Sequence, residues 1–240
     1  METIFETYAS NPASLYVPTG SSSKYQAIEG WNTLTGGIYE GEPQEAVVDG
    51  IKYFYSDGSG VAKVIAGDYS GLENVTIKGS VTINGSAYDV TEVSSSAFRD
   101  LQNLKALVIE DGIQTIGRSA FEQCHNLSSI QFPSTLKSIG ISAFESCGQP
   151  DIVLNDGLET IGDRAFAWCG TKKVTLPSSL KSIGQGAFSS MNQAAMVISH
   201  IEEPFDIEQD VFAQNWYWND GNKIITYKIF VSFQGQLLRA

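Results

Sequence analysis

Apolar residues recur along this chain at two alternating spacings. The first cluster has the form L-x-x-L-x-L: Leu104, Leu107 and Ile109, then Leu127, Ile130 and Phe132. Later copies keep the inner pair, Ile152 with Leu154 and Val174 with Leu176. Apolar residues two apart predict a short strand with one buried face. A polar stretch follows each copy: Glu110-Asp111-Gly112, Pro133-Ser134-Thr135, Asn155-Asp156-Gly157 and Pro177-Ser178-Ser179. Proline presets φ and glycine tolerates positive φ, so these are turns by mechanism. A second apolar pair comes next, Ile113 with Ile116, Leu136 with Ile139, Leu158 with Ile161 and Leu180 with Ile183. Each pair ends on a glycine, at Gly117, Gly140, Gly162 and Gly184. A glycine recurring at one phase predicts a sharp bend with positive φ.

Each unit closes on Ala-Phe, at Ala97-Phe98, Ala120-Phe121, Ala143-Phe144, Ala165-Phe166 and Ala187-Phe188. The Phe spacings are 23, 23, 22 and 22, and Val211-Phe212 adds a weaker copy after 24. A period in this range predicts a solenoid whose coils stack on one another. The small alanine lets neighbouring backbones approach, and the Phe fills the centre. A lone coil cannot bury both its faces, so stability depends on neighbours and end caps.

The copy at residues 127–147, LSSIQFPSTLKSIGISAFESC, resembles the repeat of the BspA-like leucine-rich-repeat family. The resemblance runs from about residue 75 to residue 212. It implies an α/β leucine-rich-repeat solenoid, β-dominated and coiled as a right-handed superhelix, with about five coils of 22–24 residues and a β-hairpin N-cap. It also implies a secreted or surface-displayed protein of a host-associated microbe, with a role in adhesion or protein binding.

The flanks divide the chain further. Residues 1–43 do not fit the coil. Residues 15–18 predict a strand and residues 21–31 a short helix with Ser21 as N-cap. With the linker at residues 40–44, the segment resembles the closing cap of a preceding repeat array. The opening METIFETYAS carries no leader pattern and reads as a start inside a longer protein. The apolar surface of residues 1–43 needs a partner. The ragged C-terminal coil of a neighbouring chain is the expected acceptor, and folding back on the hairpin of residues 47–66 is the alternative. Residues 44–240 form the leucine-rich-repeat domain, with a β cap at 44–96, coils at 97–212 and a C-terminal cap at 213–240. In the first cap, residues 47–55 and 61–66 predict one hairpin, and residues 75–83 and 88–93 flank an Asn84-Gly85 turn. These strands should shield the open edge of the first coil.

Composition narrows the function. The 240 residues carry a formal net charge of −12, which disfavours nucleic acid and anionic membranes as partners. No apolar run is long enough to span a bilayer. Cys124, Cys147 and Cys169 each lie three residues after the Phe of an Ala-Phe pair, a position held by Leu101 and Met191 in the outer coils. The column therefore predicts buried structural thiols. No C-x-x-C is present to suggest a metal, and the two histidines, His125 and His200, fall in different coils. No catalytic site and no cofactor are predicted.

Two candidate partner surfaces remain. On the first strand, Val108, Gln131, Val153, Thr175 and Val197 are expected to point outward in one column. Near the end, Trp216, Tyr217 and Trp218 form the densest aromatic cluster, able to stack on sugars, anchor a protein or plug the last coil. A further column of Gln114, Lys137, Glu159 and Lys181 places one carboxylate between two lysines. The reading is a non-enzymatic extracellular protein-interaction or adhesion module, its partner a protein on a host or microbial surface. A carbohydrate-binding module and a structural spacer are the alternatives.

Overall fold

The computed structural model describes residues 15–18, 20–29, 38–191, 196–202, 205–207, 210–212, 229–233 and 236–237. The coils stack as three rows. The first row holds the parallel strands Asn74–Ile77, Ala106–Ile109 and Ser129–Gln131, then Ile152–Val153, Lys173–Leu176, Met196–Ser199 and Ile229–Phe233. The second holds Ser86–Val93, Thr115–Ile116, Ser138–Ile139, Thr160–Ile161 and Ser182–Ile183, each pair parallel. The third row is the Ala-Phe turn, where Phe98, Phe121, Phe144 and Phe166 N–H groups donate to the alanine carbonyl of the next coil at 2.7–2.8 Å. Strand-dominated coils with parallel rows make this a leucine-rich-repeat solenoid.

The Phe side chains form one continuous stack. Phe98, Phe121, Phe144, Phe166, Phe188 and Phe212 lie with consecutive ring centroids 5.0–5.5 Å apart and interplanar angles of 1–11°. Tyr69 caps the stack on Phe98 at 4.5 Å. The alanines beside the rings are buried, as expected for a position where backbones must close on each other.

The recurring glycines are needed for a different reason from the one the sequence suggests. Gly117, Gly140, Gly162 and Gly184 do not adopt positive φ. A Cβ there would lie 2.4–2.8 Å from backbone atoms of the preceding coil. Each glycine N–H also donates to that coil, Gly140 to the Ile116 carbonyl at 2.8 Å and Gly162 to Ile139 at 2.8 Å. The left-handed residues come two positions later, at Ser119 (φ 53°), Ser142 (φ 54°) and Arg164 (φ 54°), and again two residues after Phe98, Phe121, Phe144, Phe166 and Phe188. Glycine thus sets coil spacing, while the bend falls on ordinary side chains in three of these coils and on Gly186 (φ 61°) in the fourth.

The thiol column is as expected. Cys124, Cys147 and Cys169 are buried and unpaired. Their Sγ atoms donate to the carbonyls of Phe98, Phe121 and Phe144, one coil back, at 3.3, 3.2 and 3.1 Å. Burial pushes the Cys147 thiol well up, which holds it protonated as a donor. Alkylation without reductant should label three sites in denaturant and none in the native protein. Labelling of a single site after unfolding would reveal a disulfide and contradict this column.

Coil length changes part-way, and the first row breaks there. Cys124 to Phe132 spans eight positions, whereas Cys147 to Leu154 and Cys169 to Leu176 span seven. Strand Ser129–Gln131 pairs backwards with Ala106–Ile109, and Ile152–Val153 pairs forwards with Lys173–Leu176, but the two do not pair with each other. Pro150, buried at this seam, has no N–H to contribute. The second and third rows continue across it unbroken.

The N-terminal strands extend the second row. Strands β1 (Leu15–Val17) and β2 (Ile38–Glu40) pair parallel around a short helix α1 (Ser22–Gln26). Strands β3 (Pro43–Val48), β4 (Ile51–Ser56) and β5 (Val61–Val64) follow as an antiparallel meander, and β5 pairs parallel with Ser86–Val93. The sequence takes residues 47–55 as one strand. Asp49 (φ 50°) and Gly50 (φ 80°) instead turn the chain there, and β3 runs through the expected linker at residues 43 and 44. Likewise residues 75–83 divide at Lys78-Gly79 into Asn74–Ile77, which starts the first row, and Ser80–Ile83, which pairs with Ser86–Val93. The Asn84-Gly85 turn joins the latter two, with φ of 50° and 82°. The shielding expected of these strands is achieved by continuing the sheet outward to β3.

Helix α1 stops at Gln26, short of the span expected at residues 21–31. The Ser21 side chain makes no capping bond. Glu40 supplies the cap, accepting from Gly20 N–H at 2.7 Å and Ser22 N–H at 2.9 Å. These bonds, Gly20 foremost, hold its carboxyl down at about 2. Tyr16 of β1 rests on Phe54 of β4, with centroids 5.8 Å apart. Among the described residues of the segment, β1 thus meets the hairpin of its own chain.

Candidate partner-binding face

The outward column of the first row is built by strand alternation. Inward residues Leu107 and Ile109, Ile152 and Leu154, and Val174 and Leu176 are buried against the Phe stack. Between them Val108 and Thr175 are half-buried, while Gln131 and Val153 are exposed. The register extends the column in both directions, to Thr76 beside Val108 and to Ile198 beside Thr175.

Val197 does not belong to it. Its partner is Val174, and it is buried at 1% exposure. The 22-residue step that relates Val153 to Thr175 lengthens to 23 between Thr175 and Ile198. Shifting a strand by one residue reverses every side chain. Met196 and Ile198 therefore point outward, and Val197 and Ser199 inward. The longer spacing from Phe188 to Phe212 was the available signal for this change. Trp216, Tyr217 and Trp218 lie outside the described residues.

The column carries no charged side chain. Thr76, Val108, Gln131, Val153, Thr175 and Ile198 are all neutral, in a chain with 27 acidic and 15 basic residues. Charges stand at its margins. Lys105 and Glu73 pair at 2.9 Å, and Lys78 pairs with Asp49 at 2.6 Å. Val153 and Met196, at 48% and 44% exposure, are the most open apolar residues of this row among those whose side chains are described. Interface cores are likewise depleted of charge and bordered by polar rims.

The second row is different in chemistry. Lys181 donates to Glu159 at 2.7 Å, and the hydrogen bond and charge of Lys181, with a further contribution from Lys137, lower the Glu159 carboxyl. The ion pair joins the two coils that carry Glu159 and Lys181, while Lys137 acts on the carboxylate through its charge alone. Such exposed pairs contribute little each. Beside them Thr115, Ser138, Thr160 and Ser182 line a shallow groove of about 470 Å³ floored by the repeat glycines. Among the described residues no cluster of His, Cys, Asp and Glu is suited to a metal ion.

Residues 69–153 and 91–219 match the model of the BspA type leucine rich repeat region, in six copies. The chain belongs to the BspA-type leucine-rich-repeat family. Leucine-rich-repeat proteins are generally binding modules, and the match points to no catalytic family. Among solved structures, a leucine-rich repeat protein from Bacteroides ovatus ATCC 8483 is similar at 29% identity with a TM-score of 0.58. That match covers 64% of this BspA-type chain and 40% of the other, so the chain spans well under two thirds of its length. The leucine rich repeat protein of T. pallidum is similar at 27% identity with a TM-score of 0.55, covering 65% of this chain and 71% of that one. A search of curated proteins gives no match. Among the described residues no helix is long and apolar enough to cross a membrane.

Proposed function

We propose that this chain is a non-enzymatic adhesion module, displayed outside the cell of a host-associated bacterium, which holds a protein partner on the neutral column of its first row. The carrying observation is the absence of charge from six successive column positions in a chain of net charge −12. Interface cores are depleted of charged residues and bordered by polar rims, and this strip has both properties. Membership of a family of binding modules supports the reading. In the same proposal residues 1–43 close a preceding array, residues 44–240 form the binding domain, and the full protein reaches the cell surface.

The test compares three forms of the chain on an array of secreted and cell-surface proteins. Wild type should retain at least one partner. A Val153→Glu, Thr175→Glu double substitution should weaken that partner about tenfold or more, since charge placed in a contact core is left unpaired. Ser138→Glu, on the second row, should leave it unchanged. Equal retention of a partner by all three would remove the face assignment. Binding confined to a glycan array, and lost on Trp216→Ala or Trp218→Ala, would replace the protein reading with a carbohydrate one.

A further inference from the structure

The nine-stranded second row ends at β3, and among the described residues no strand pairs with its outer edge. The Asp49-Gly50 turn makes Val48 and Ile51 the closing pair of the hairpin. In a two-residue hairpin the closing pair is hydrogen-bonded, and bonded pairs then alternate along the ladder. Val48, Ala46 and Gln44 therefore direct their N–H and C=O groups to β4. Lys52, opposite Val47, confirms the parity, because its N–H donates to the Tyr69 hydroxyl and its C=O accepts from Ile65 N–H, both away from β3. Glu45 and Val47 consequently turn their backbone groups out of the sheet, and among the described residues none bonds to them. On the inner face Ala46 and Val48 pack on the core yet remain half-buried.

We propose that β3 is a self-association edge, pairing antiparallel with β3 of a second copy of this chain. Charge selects one register. The outward-facing residues are 45 and 47, so three alignments can join the two edges. Glu45 opposite the partner's Glu45 sets like charges face to face. Val47 opposite the partner's Val47 sets Glu45 opposite the partner's Asp49, again like charges. Only the alignment centred on Ala46 sets Glu45 opposite the partner's Val47, twice by symmetry. It joins the free N–H and C=O groups of all four residues, and it brings the two Ala46 side chains together over the exposed margin of the core. On the outer face Glu45 already pairs with Lys52 of its own hairpin at 2.6 Å, and the alignment centred on Ala46 leaves that pair in place beside the partner's Val47. The contact is isologous and closes on itself.

The contact involves few residues, so the association is read at high concentration and near physiological ionic strength, where long-range repulsion between two copies of net charge −12 is screened but directly opposed side chains still interact. Equilibrium sedimentation of the full chain should show the mass rising from 26.0 kDa towards twice that value. Val47 is 67% exposed, so its substitution leaves the fold intact. Val47→Lys should tighten the dimer, because each lysine would face the partner's Glu45. Val47→Glu should loosen it by like charge. Two cross-strand pairs change the association constant by roughly two- to thirtyfold in each direction. A mass fixed at that of one chain at the highest concentration overturns the proposal. So does a dimer that responds to neither substitution, since it would form through another surface. Neither outcome bears on the neutral column of the first row, which is tested separately.

Discussion

Phe144→Ala should lower the stability of this chain by about 3–5 kcal/mol, whereas Gln131→Ala should change it by less than about 0.5 kcal/mol. Phe144 is fully buried. It lies 5.0 Å from Phe121 on one side and 5.3 Å from Phe166 on the other, and Phe132 meets it edge-on at 5.5 Å. Truncation therefore removes one ring from the middle of a stack and interrupts three aromatic contacts at once. Neighbouring rings cannot close the gap, because the backbone hydrogen bonds of the Ala-Phe row fix the distance between coils. Gln131 is exposed on the outward face of its strand and touches none of this. Chemical denaturation of the two variants beside wild type measures the difference. Similar midpoints for both would refute the assignment of inward and outward positions.

The second large effect concerns Gly162. A Cβ there would lie 2.6 Å from Ile141 N and 2.7 Å from the Gly140 carbonyl carbon, both backbone atoms of the preceding coil. A flexible side chain could move aside, but a backbone held in two ladders cannot. Gly162→Ala should thus cost at least the roughly 1–3 kcal/mol of core overpacking. Ser142→Gly is the matched control. Ser142 holds φ at 54°, a conformation that costs a non-glycine residue roughly 1–2 kcal/mol. Relief of that strain offsets the roughly 0.5–1 kcal/mol entropic disadvantage of glycine, so the variant should be neutral or slightly stabilised. If bend geometry rather than close approach were the reason for the repeat glycines, the ranking would reverse. Thermal melts of both variants decide between the two causes.

Much of this architecture is legible in the residues, and the failures share a physical origin. The Phe period, the apolar pairs and the cysteine column each reflect a side chain repeating one environment in coil after coil. Such redundancy is what makes the solenoid and its buried set readable. Val197 fails because a single added residue reverses the inside and outside of a strand, and Met196-Val197-Ile198 is apolar on both faces. Asp49-Gly50 passes unnoticed inside an otherwise strand-like run, although it is a hairpin turn dipeptide. The glycines at Gly117, Gly140, Gly162 and Gly184 were visible but not their cause, since close approach depends on the neighbouring coil and not on local sequence. The Glu40 cap joins residues eighteen to twenty apart, beyond any local capping pattern. The neutral column could be placed only once the register of each pair was known.

The turns between the first and second rows have a bearing on how such an array lengthens. Asp111 Oδ1 accepts from Ser134 N–H at 2.6 Å and from its hydroxyl at 2.9 Å, while Gly112 N–H donates to Thr135 Oγ1 at 2.9 Å. Two coils later the same exchange recurs, with Asp156 accepting from Ser178 and Gly157 donating to Ser179 Oγ at 2.8 Å. Asp-Gly turns thus alternate with Pro-Ser turns, and each kind supplies what the other lacks. Duplicating one coil would set two Asp-Gly turns or two Pro-Ser turns side by side, with carboxylate against carboxylate or hydroxyl donors without an acceptor. Duplicating a pair preserves every bond. The natural increment of this array is therefore two coils, and lengthened or shortened versions should tolerate even changes in copy number better than odd ones.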